Sequence, residues 1–227
     1  MTNEQTENRW EALYQDGLGA PRYPNGHVVR WLFGNFPRTQ AADVHLLDMG
    51  CGMGRHAVMM ANEGFNVSGT DYSAAAIDQA VAWAARAELD IDYAAAPADK
   101  QPFADQSFDG ILSYAVLYYL SLDRMKMAFD EIHRLLKPGG KAFIMIKNHR
   151  DVRATKGTEI APHQFLINQT DDGMPWNNEQ DMRLTLLPRA AILDICGKFS
   201  HVMINEMTTS LDDGNYLEAA WLIYLTR

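Results

Sequence analysis

Between residues 43 and 147, short and nearly unbroken apolar runs alternate with stretches whose apolar residues recur every three or four positions. The first pattern predicts strands buried on both faces, and the second predicts helices with one buried stripe. The runs fall at about 43–49, 66–70, 91–95, 110–114 and 141–146, and helical spacing occupies roughly 53–63, 74–89 and 123–136. Ser73 stands at the N-cap position of the helix at 74–89. The helix at 123–136 begins at Asp123, carries Met127, Ile132, Leu135 and Leu136 on one side, and meets "KPGG" at 137–140. Proline and paired glycines end a helix there and turn the chain into the next strand. Alternation of this kind builds a parallel, doubly wound sheet with right-handed crossovers.

Two segments stand outside the alternation. Residues 1–40 hold a helix bearing Trp10, Leu13 and Tyr14, a turn-rich "GLGAPRYPNG", and a second helix around 28–33. Residues 148–183 are polar, are interrupted by Pro162 and Pro175, and are long for a plain connection. An insertion of that length reads as a lid over a site or a surface excursion, and a substrate lid is the expectation here. The tail resumes regular structure with a helix near 189–198 and strands near 201–207 and 217–226. About ten residues separate those strands, too few for a helical crossover, so they are expected to pair antiparallel at one sheet edge.

The length of 227 residues fits a single α/β domain, 1–227, with the first 40 residues as a cap. A net charge of −9 argues against nucleic acid, whose phosphates need a basic face. No apolar run approaches the roughly 20 residues of a membrane span. The polar opening "MTNEQTENRWEALYQDG" does not read as a secretory signal. The two cysteines, Cys51 and Cys196, lack the spacing of a disulfide framework or metal site. A cytoplasmic protein with no metal, monomeric or homodimeric, is the expectation. Twelve methionines suggest an adaptable core, with Met49 and Met53 close to whatever the loop between them holds.

That loop is the most informative stretch. In "LLDMGCGMGRHAVMMANEGFNVSGTD" glycines stand at 50, 52 and 54, after a strand and before a helix. A glycine turn at that junction lets backbone approach a ligand and aims a helix N-terminus at it. Gly52, Gly54 and Ala57 satisfy the dinucleotide fingerprint GxGxxG/A, and Asp71 lies at a suitable distance for a ribose hydroxyl. A reading from Asp48 gives DxGxGxG instead, with one carboxylate closing the first strand and another closing the second. Paired carboxylates suit a cationic ligand better than a pyrophosphate.

The DxGxGxG run, "GTDYS", "PFADQSFDGILSYAVLYYL" and "EIHRLLKPGGKAFIMIKN" together resemble the class I S-adenosylmethionine-dependent methyltransferases. The likeness covers about residues 40–147 and leans to the small-molecule branch, of methyltransferase type 11 or tellurite- and thiopurine-type. It implies a Rossmann-like, mostly parallel seven-stranded sheet whose C-terminal strands run antiparallel. It also implies S-adenosyl-L-methionine as cofactor, S-adenosyl-L-homocysteine as product, and a small-molecule methyl acceptor. A NAD-dependent oxidoreductase and a noncatalytic S-adenosylmethionine-binding protein are the competing readings. The dehydrogenase would need a second three-strand half that the sequence lacks.

Carried over residue by residue, the resemblance puts Asp48, Gly50, Cys51, Gly52 and Gly54 around the methionine portion and Asp71 with Tyr72 at the ribose. Arg55 is expected at the cofactor carboxylate. Relatives place an aspartate after the third strand to bind the adenine amino group; Pro97 stands there, so Asp99, or the backbone of Ala98, is expected to take over. By position beyond the carboxyl ends of the strands, Ser113, Tyr114 and Tyr118 lie beside the cofactor and the methyl group. Val116 and Leu117 are expected to pack on the cofactor. His149, after the fifth strand, is the expected general base if one is used, with Tyr114 and Tyr118 shaping the acceptor pocket. The cap supplies Trp10, Tyr14, Arg22 and Tyr23 as wall or anion-binding residues, and the insertion supplies Glu159 and His163 toward the substrate.

Overall fold

The computed structural model describes residues 3–17, 21–169 and 177–227. In chain order the elements are α1 (Asn3–Gln15), α2 (Gly26–Asn35), β1 (His45–Met49), α3 (Arg55–Asn62), β2 (Asn66–Asp71), α4 (Ala74–Arg86), β3 (Asp92–Ala95) and β4 (Phe108–Tyr114). They continue with α5 (Leu122–Leu135), β5 (Leu136–Lys147), α6 (Arg153–Lys156), β6 (Gly157–Ala161), β7 (Gln164–Ile167), β8 (Arg183–Thr185), α7 (Arg189–Ile195), β9 (His201–Leu211) and β10 (Tyr216–Thr226). Seven strands form one sheet in the order β3-β2-β1-β4-β5-β10-β9. The first five are parallel, and β10 runs antiparallel between β5 and β9.

Alternation along each strand builds two cores. Leu47, Ile111, Ile144 and Ile146 pack under α5 and α7, while Leu46, Leu112, Phe143 and Met145 pack against α2 and α3 on the other face. Ser73 caps α4 as its sequence position predicts, accepting from the Ala76 N–H at 3.0 Å. The strand order reverses at β1, so β1 and β4 diverge and leave a crevice beyond their carboxyl ends.

Three expectations are refined by the structure. The "KPGG" segment is a bulge within β5 rather than a turn before it: Leu136 already pairs with Phe108, and the register shifts before Lys141 meets Gly110. The extra residues loop out, with Gly139 at φ +78°. The C-terminal strands pair antiparallel at the sheet edge as expected, but β9 runs on to Leu211, so a hairpin closed by residues 212–215 joins the two.

The insertion is the third. Its described part folds α6 and a three-stranded antiparallel sheet, β6-β7-β8, that seats Ile167, Leu184, Leu186 and Leu187 in the α5 core. No described residue of 148–183 lines the cavity beyond the strands' carboxyl ends, but Arg183 N–H donates to Thr6 Oγ1 and Glu179 accepts from Tyr119, two residues that do.

Candidate active site

The glycine turn is built by three αL glycines and two carboxylates. Gly50, Gly52 and Gly54 have φ of +75°, +54° and +89°, a region closed to most side chains. A Cβ on Gly50 would stand 2.4 Å from Val116 Cγ2, and one on Gly52 would stand 2.8 Å from the Tyr14 hydroxyl. Gly54, at the N-cap of α3, has no side chain to offer that helix. Asp48 does the capping instead, accepting from the Ala57 N–H at 3.1 Å. Asp71, at the end of β2, accepts from Gly52 N–H at 2.9 Å and from Ser73 N–H at 3.0 Å. The N–H groups of Gly50 and Cys51 donate to the Thr70 carbonyl at 2.7 and 2.8 Å.

This wiring separates the two ligand classes the glycines left open. A pyrophosphate cradle needs free N–H groups and a positive helix end. Here the N–H groups of residues 50, 51, 52, 54 and 57 are already given to protein oxygens. Two buried carboxylates sit at the same helix end. Burial pushes Asp48 up to about 7, against the N–H of Ala57 and the charge of Arg55, which lower it. Burial likewise pushes Asp71 up to about 6, against the N–H groups of Ser73 and Gly52. Such carboxylates hold ionisation poorly until a cation arrives, so the turn fits a positively charged ligand with hydroxyls for Asp71.

The cavity opens beyond the carboxyl ends of β1 to β4. Gly50, Cys51, Gly52, Met53 and Arg55 form its floor, Asp71 and Tyr72 one side, and Pro97 and Ala98 another. Tyr114, Ala115, Val116, Tyr118, Tyr119 and Leu120 form the wall after β4. Helix α1 closes the top with Thr6, Glu7, Trp10 and Tyr14, held by Tyr72 Oη donating to the Glu7 carbonyl (2.8 Å) and Gln79 Nε2 donating to the Tyr14 carbonyl (2.6 Å).

Of the residues expected at the site, Trp10, Tyr14, Gly50, Cys51, Gly52, Met53, Arg55, Asp71, Tyr72, Ala98, Tyr114 and Tyr118 line the cavity. Asp48 and Gly54 are not among the lining residues, and Asp48 holds the start of α3 through the Ala57 N–H. Val116 lines the wall, whereas Leu117 is turned into the core.

Others the structure sends elsewhere. Asp99 gives both carboxylate oxygens to Arg124, at 2.6 and 2.8 Å, and does not line the cavity. Burial, the largest single influence, raises its carboxyl, yet the hydrogen bond and charge of Arg124 together with a backbone hydrogen bond outweigh it and hold the carboxyl below the ordinary range. Ser113 is fully buried in β4, its hydroxyl unpartnered and off the cavity. His149 is exposed, because Asn148 binds the Ala219 carbonyl and Glu206 and turns the chain toward β9 and β10. Tyr23 is 77% exposed and Arg22 is exposed as well; the intervening residues 18–20 lie outside the described ones. Glu159 accepts from the His163 N–H within the β6–β7 hairpin, and neither residue lines the cavity.

Several contributors left no mark in the sequence pattern. Arg124 and Glu7 line the cavity, joined at 2.5 Å. His56, also on the wall, accepts from the Asn25 N–H at 3.2 Å; burial, then Arg55, lower its pKa to about 3, so it is a neutral structural imidazole. Tyr119 donates to Glu179 at 2.7 Å, and Glu179 pairs with buried Arg153. Arg153 and Lys147 share Asp151 and Glu218 behind that wall. Lys147, Asp151 and Arg153 stand close in sequence, but Tyr119, Glu179 and Glu218 come from distant segments, and no local spacing points to them.

Sheet order, the antiparallel end pair and a carboxylate-bracketed glycine turn define the class I methyltransferase architecture. Residues 47–144 match the model of the methyltransferase domain family. The chain is 37% identical over 109 residues to the O-methyltransferase resE of Aspergillus sclerotiorum, a match covering 47% of this chain and 40% of that protein. It thus spans about two fifths of the length of the curated relatives it matches. A solved S-adenosylmethionine-dependent methyltransferase of Methanosarcina mazei superimposes with a TM-score of 0.64 at 21% identity, covering 81% of this chain and 92% of that one. The N-methyltransferase NodS of Bradyrhizobium japonicum, solved with S-adenosyl-L-homocysteine, gives 0.58 at 18% identity over 88% and 84% of the two chains. These structural likenesses establish the fold. No helix among the described residues is long and apolar enough to cross a membrane.

Proposed function

We propose that the protein transfers a methyl group from S-adenosyl-L-methionine to a small-molecule acceptor. The observation that carries this reading is the glycine turn whose N–H groups at residues 50, 51, 52 and 54 are committed to protein oxygens and whose two flanking carboxylates are buried. A sulfonium-plus-ammonium ligand balances them; a pyrophosphate would add to the imbalance.

When bound, the cofactor supplies an electrophilic methyl group on a positively charged sulfur with a neutral leaving group. The chain's own work is placement. Asp71 retains lone pairs for the ribose hydroxyls while anchoring Gly52. Pro97 and Ala98 form a slot for the adenine, with no side-chain carboxylate to read its amino group, since Asp99 is spent on Arg124. Asp48 keeps the start of α3 in place beneath the methionine end. Trp10, Tyr14, Tyr114 and Tyr118 surround the acceptor side, excluding water and holding the acceptor in line with the transferring methyl. Helix α1 serves as the cap over both ligands. His149 has no place in this arrangement, and the proton of a hydroxyl acceptor leaves to solvent as the methyl group is transferred.

The test is isothermal titration with S-adenosylmethionine, S-adenosylhomocysteine and NADH. Micromolar binding of the first two without the third is expected. Binding of NADH alone returns the turn to the dinucleotide class and sinks the proposal.

A further inference from the structure

The wall of the cavity has a fixed hydrogen-bond polarity. Glu179 is 4% exposed, and as a carboxylate paired with Arg153 it can only accept. Tyr119 therefore donates to it, at 2.7 Å. With its proton spent, Tyr119 can only accept from Tyr118, whose hydroxyl lies 3.0 Å away. Tyr118 is left with lone pairs alone. Burial and the neighbouring Glu179 charge push the Tyr118 and Tyr119 hydroxyls far above the ordinary phenol range, so neither proton leaves and the order of donors holds.

A second, independent observation lies across Tyr119. Trp10 packs edge-on to that ring with centroids 5.2 Å apart, while Tyr118 lies on it at 4.2 Å. The Trp10 Nε1–H is buried and has no hydrogen-bond partner in the structure. A buried indole donor ordinarily finds an acceptor, and leaving it unmet is costly. All three rings line the cavity.

We propose that Trp10, Tyr118, Tyr119 and Glu179 form a hydroxyl-recognising subsite, so that the acceptor of this methyltransferase is an alcohol or phenol. The subsite offers one donor and one acceptor, from two rings that both pack on Tyr119 and both line the cavity. A hydroxyl answers both, accepting from Trp10 and donating to Tyr118; an ether can only accept, and an ammonium can only donate. Leu120, Val116 and Ala115 complete an apolar surround that suits an aromatic or otherwise apolar carrier of that hydroxyl. The same polarity separates substrate from product. Once methylated, the oxygen has no proton for Tyr118, and the buried acceptor is left unmet, which favours release. The inference rests on the methyltransferase reading for its biological meaning but not for its geometry.

The experiment uses the protein saturated with S-adenosylhomocysteine, so that no turnover occurs, and titrates 2-naphthol against its methyl ether, 2-methoxynaphthalene. The expected result is at least about tenfold tighter binding of the naphthol, the scale of one buried hydrogen bond. Tyr119→Phe frees the Tyr118 hydroxyl to turn, and Glu179→Gln supplies an amide donor that reverses the chain. Each should cut the preference to within about threefold while S-adenosylhomocysteine still binds. Trp10→Phe should weaken both probes together and leave their ratio intact. Equal affinity of the two probes for the wild-type protein, no binding of either, or a preference that survives both Tyr119→Phe and Glu179→Gln overturns the proposal. If S-adenosylhomocysteine fails to bind while the free protein keeps the naphthol preference, the methyltransferase reading falls and the subsite stands.

Discussion

Asp71 Oδ2 accepts from the Gly52 backbone N–H at 2.9 Å, so the end of β2 and the glycine turn move as one unit. The side chain that is to read a ribose also sets the backbone beneath the rest of the cofactor. Asp71→Ala should weaken S-adenosylmethionine by roughly 1.5–3 kcal/mol, the range for hydrogen bonds to a charged group. Asp71→Asn keeps one acceptor for Gly52 and should lose less. Isothermal titration on both, with thermal melts to verify folding, checks this; unchanged affinity in a folded Asp71→Ala protein removes Asp71 from the ribose.

The raised carboxyls give the ligand-free protein a defined pH dependence. Asp48 titrates at about 7 and Asp71 at about 6 in the folded chain, both above the ordinary carboxylate value near 4. A folded pKa above the unfolded one means the folded state binds more protons in that window. Stability from these groups is therefore full below about pH 4 and is lost as pH rises through 6 to 7. Asp48→Asn removes the larger share, since its amide oxygen can still accept from Ala57. Compared by urea titration, the two proteins should match near pH 4. The Asn variant should be more stable by on the order of 2 kcal/mol at pH 8. S-adenosylmethionine, as a cation, should stabilise the wild-type protein more at pH 7.5 than at pH 5.5. A flat difference across that range would mean that Asp48 stays ionised throughout.

Gly52→Ala tests whether α1 is docked on the turn itself. Its φ of +54° costs a residue with a Cβ about 1–2 kcal/mol, and the new methyl would stand 2.8 Å from the Tyr14 hydroxyl. Destabilisation of about 2–3 kcal/mol is expected in urea. Tyr14→Ala in the same chain should recover the steric part only, so the double variant will be less destabilised than the sum of the singles. Strict additivity would place Tyr14 away from the turn in solution.

The sheet was legible because β1, β4 and β5 are buried on both faces and read as apolar runs, and because the strand–helix alternation admits few topologies. The glycine turn was legible because αL backbone and a two-carboxylate bracket both leave local traces. Asp99 was misread for the opposite reason: the arginine that takes both its oxygens stands 25 residues later, and no period links them. The residues 148–183 misled through composition. Their polar residues include Arg153, Asp151 and Glu179, each under 5% exposed, so the charge that reads as solvated surface is in fact interior. His149 failed on a register: the pairing of Asn148 with the β10 side fixes where the next residue points, and a sequence carries no sign of that.

Arg124 joins the three parts of the cap that a cofactor must meet. It sits on α5, holds Asp99 in the loop after β3 through Nε and Nη2, and reaches Glu7 on α1 through Nη1. Its side chain is 24% exposed, so the pairing is worth more than a surface contact but less than a buried one, about 1–2 kcal/mol in all. Arg124→Met should leave the sheet intact, because its core neighbours Met125, Ala128 and Phe129 on α5 are untouched. It should loosen α1, raising amide exchange across residues 4–15 about tenfold relative to the amides of β4 and β5. S-adenosylhomocysteine affinity should fall by about the same factor, since an undocked cap costs the ligand its cover and Asp99 becomes free beside the adenine slot. The paired readout discriminates: weaker binding with unchanged exchange in α1 would make Arg124 a direct ligand contact, whereas faster exchange with unchanged binding would show that the cap is dispensable for the cofactor.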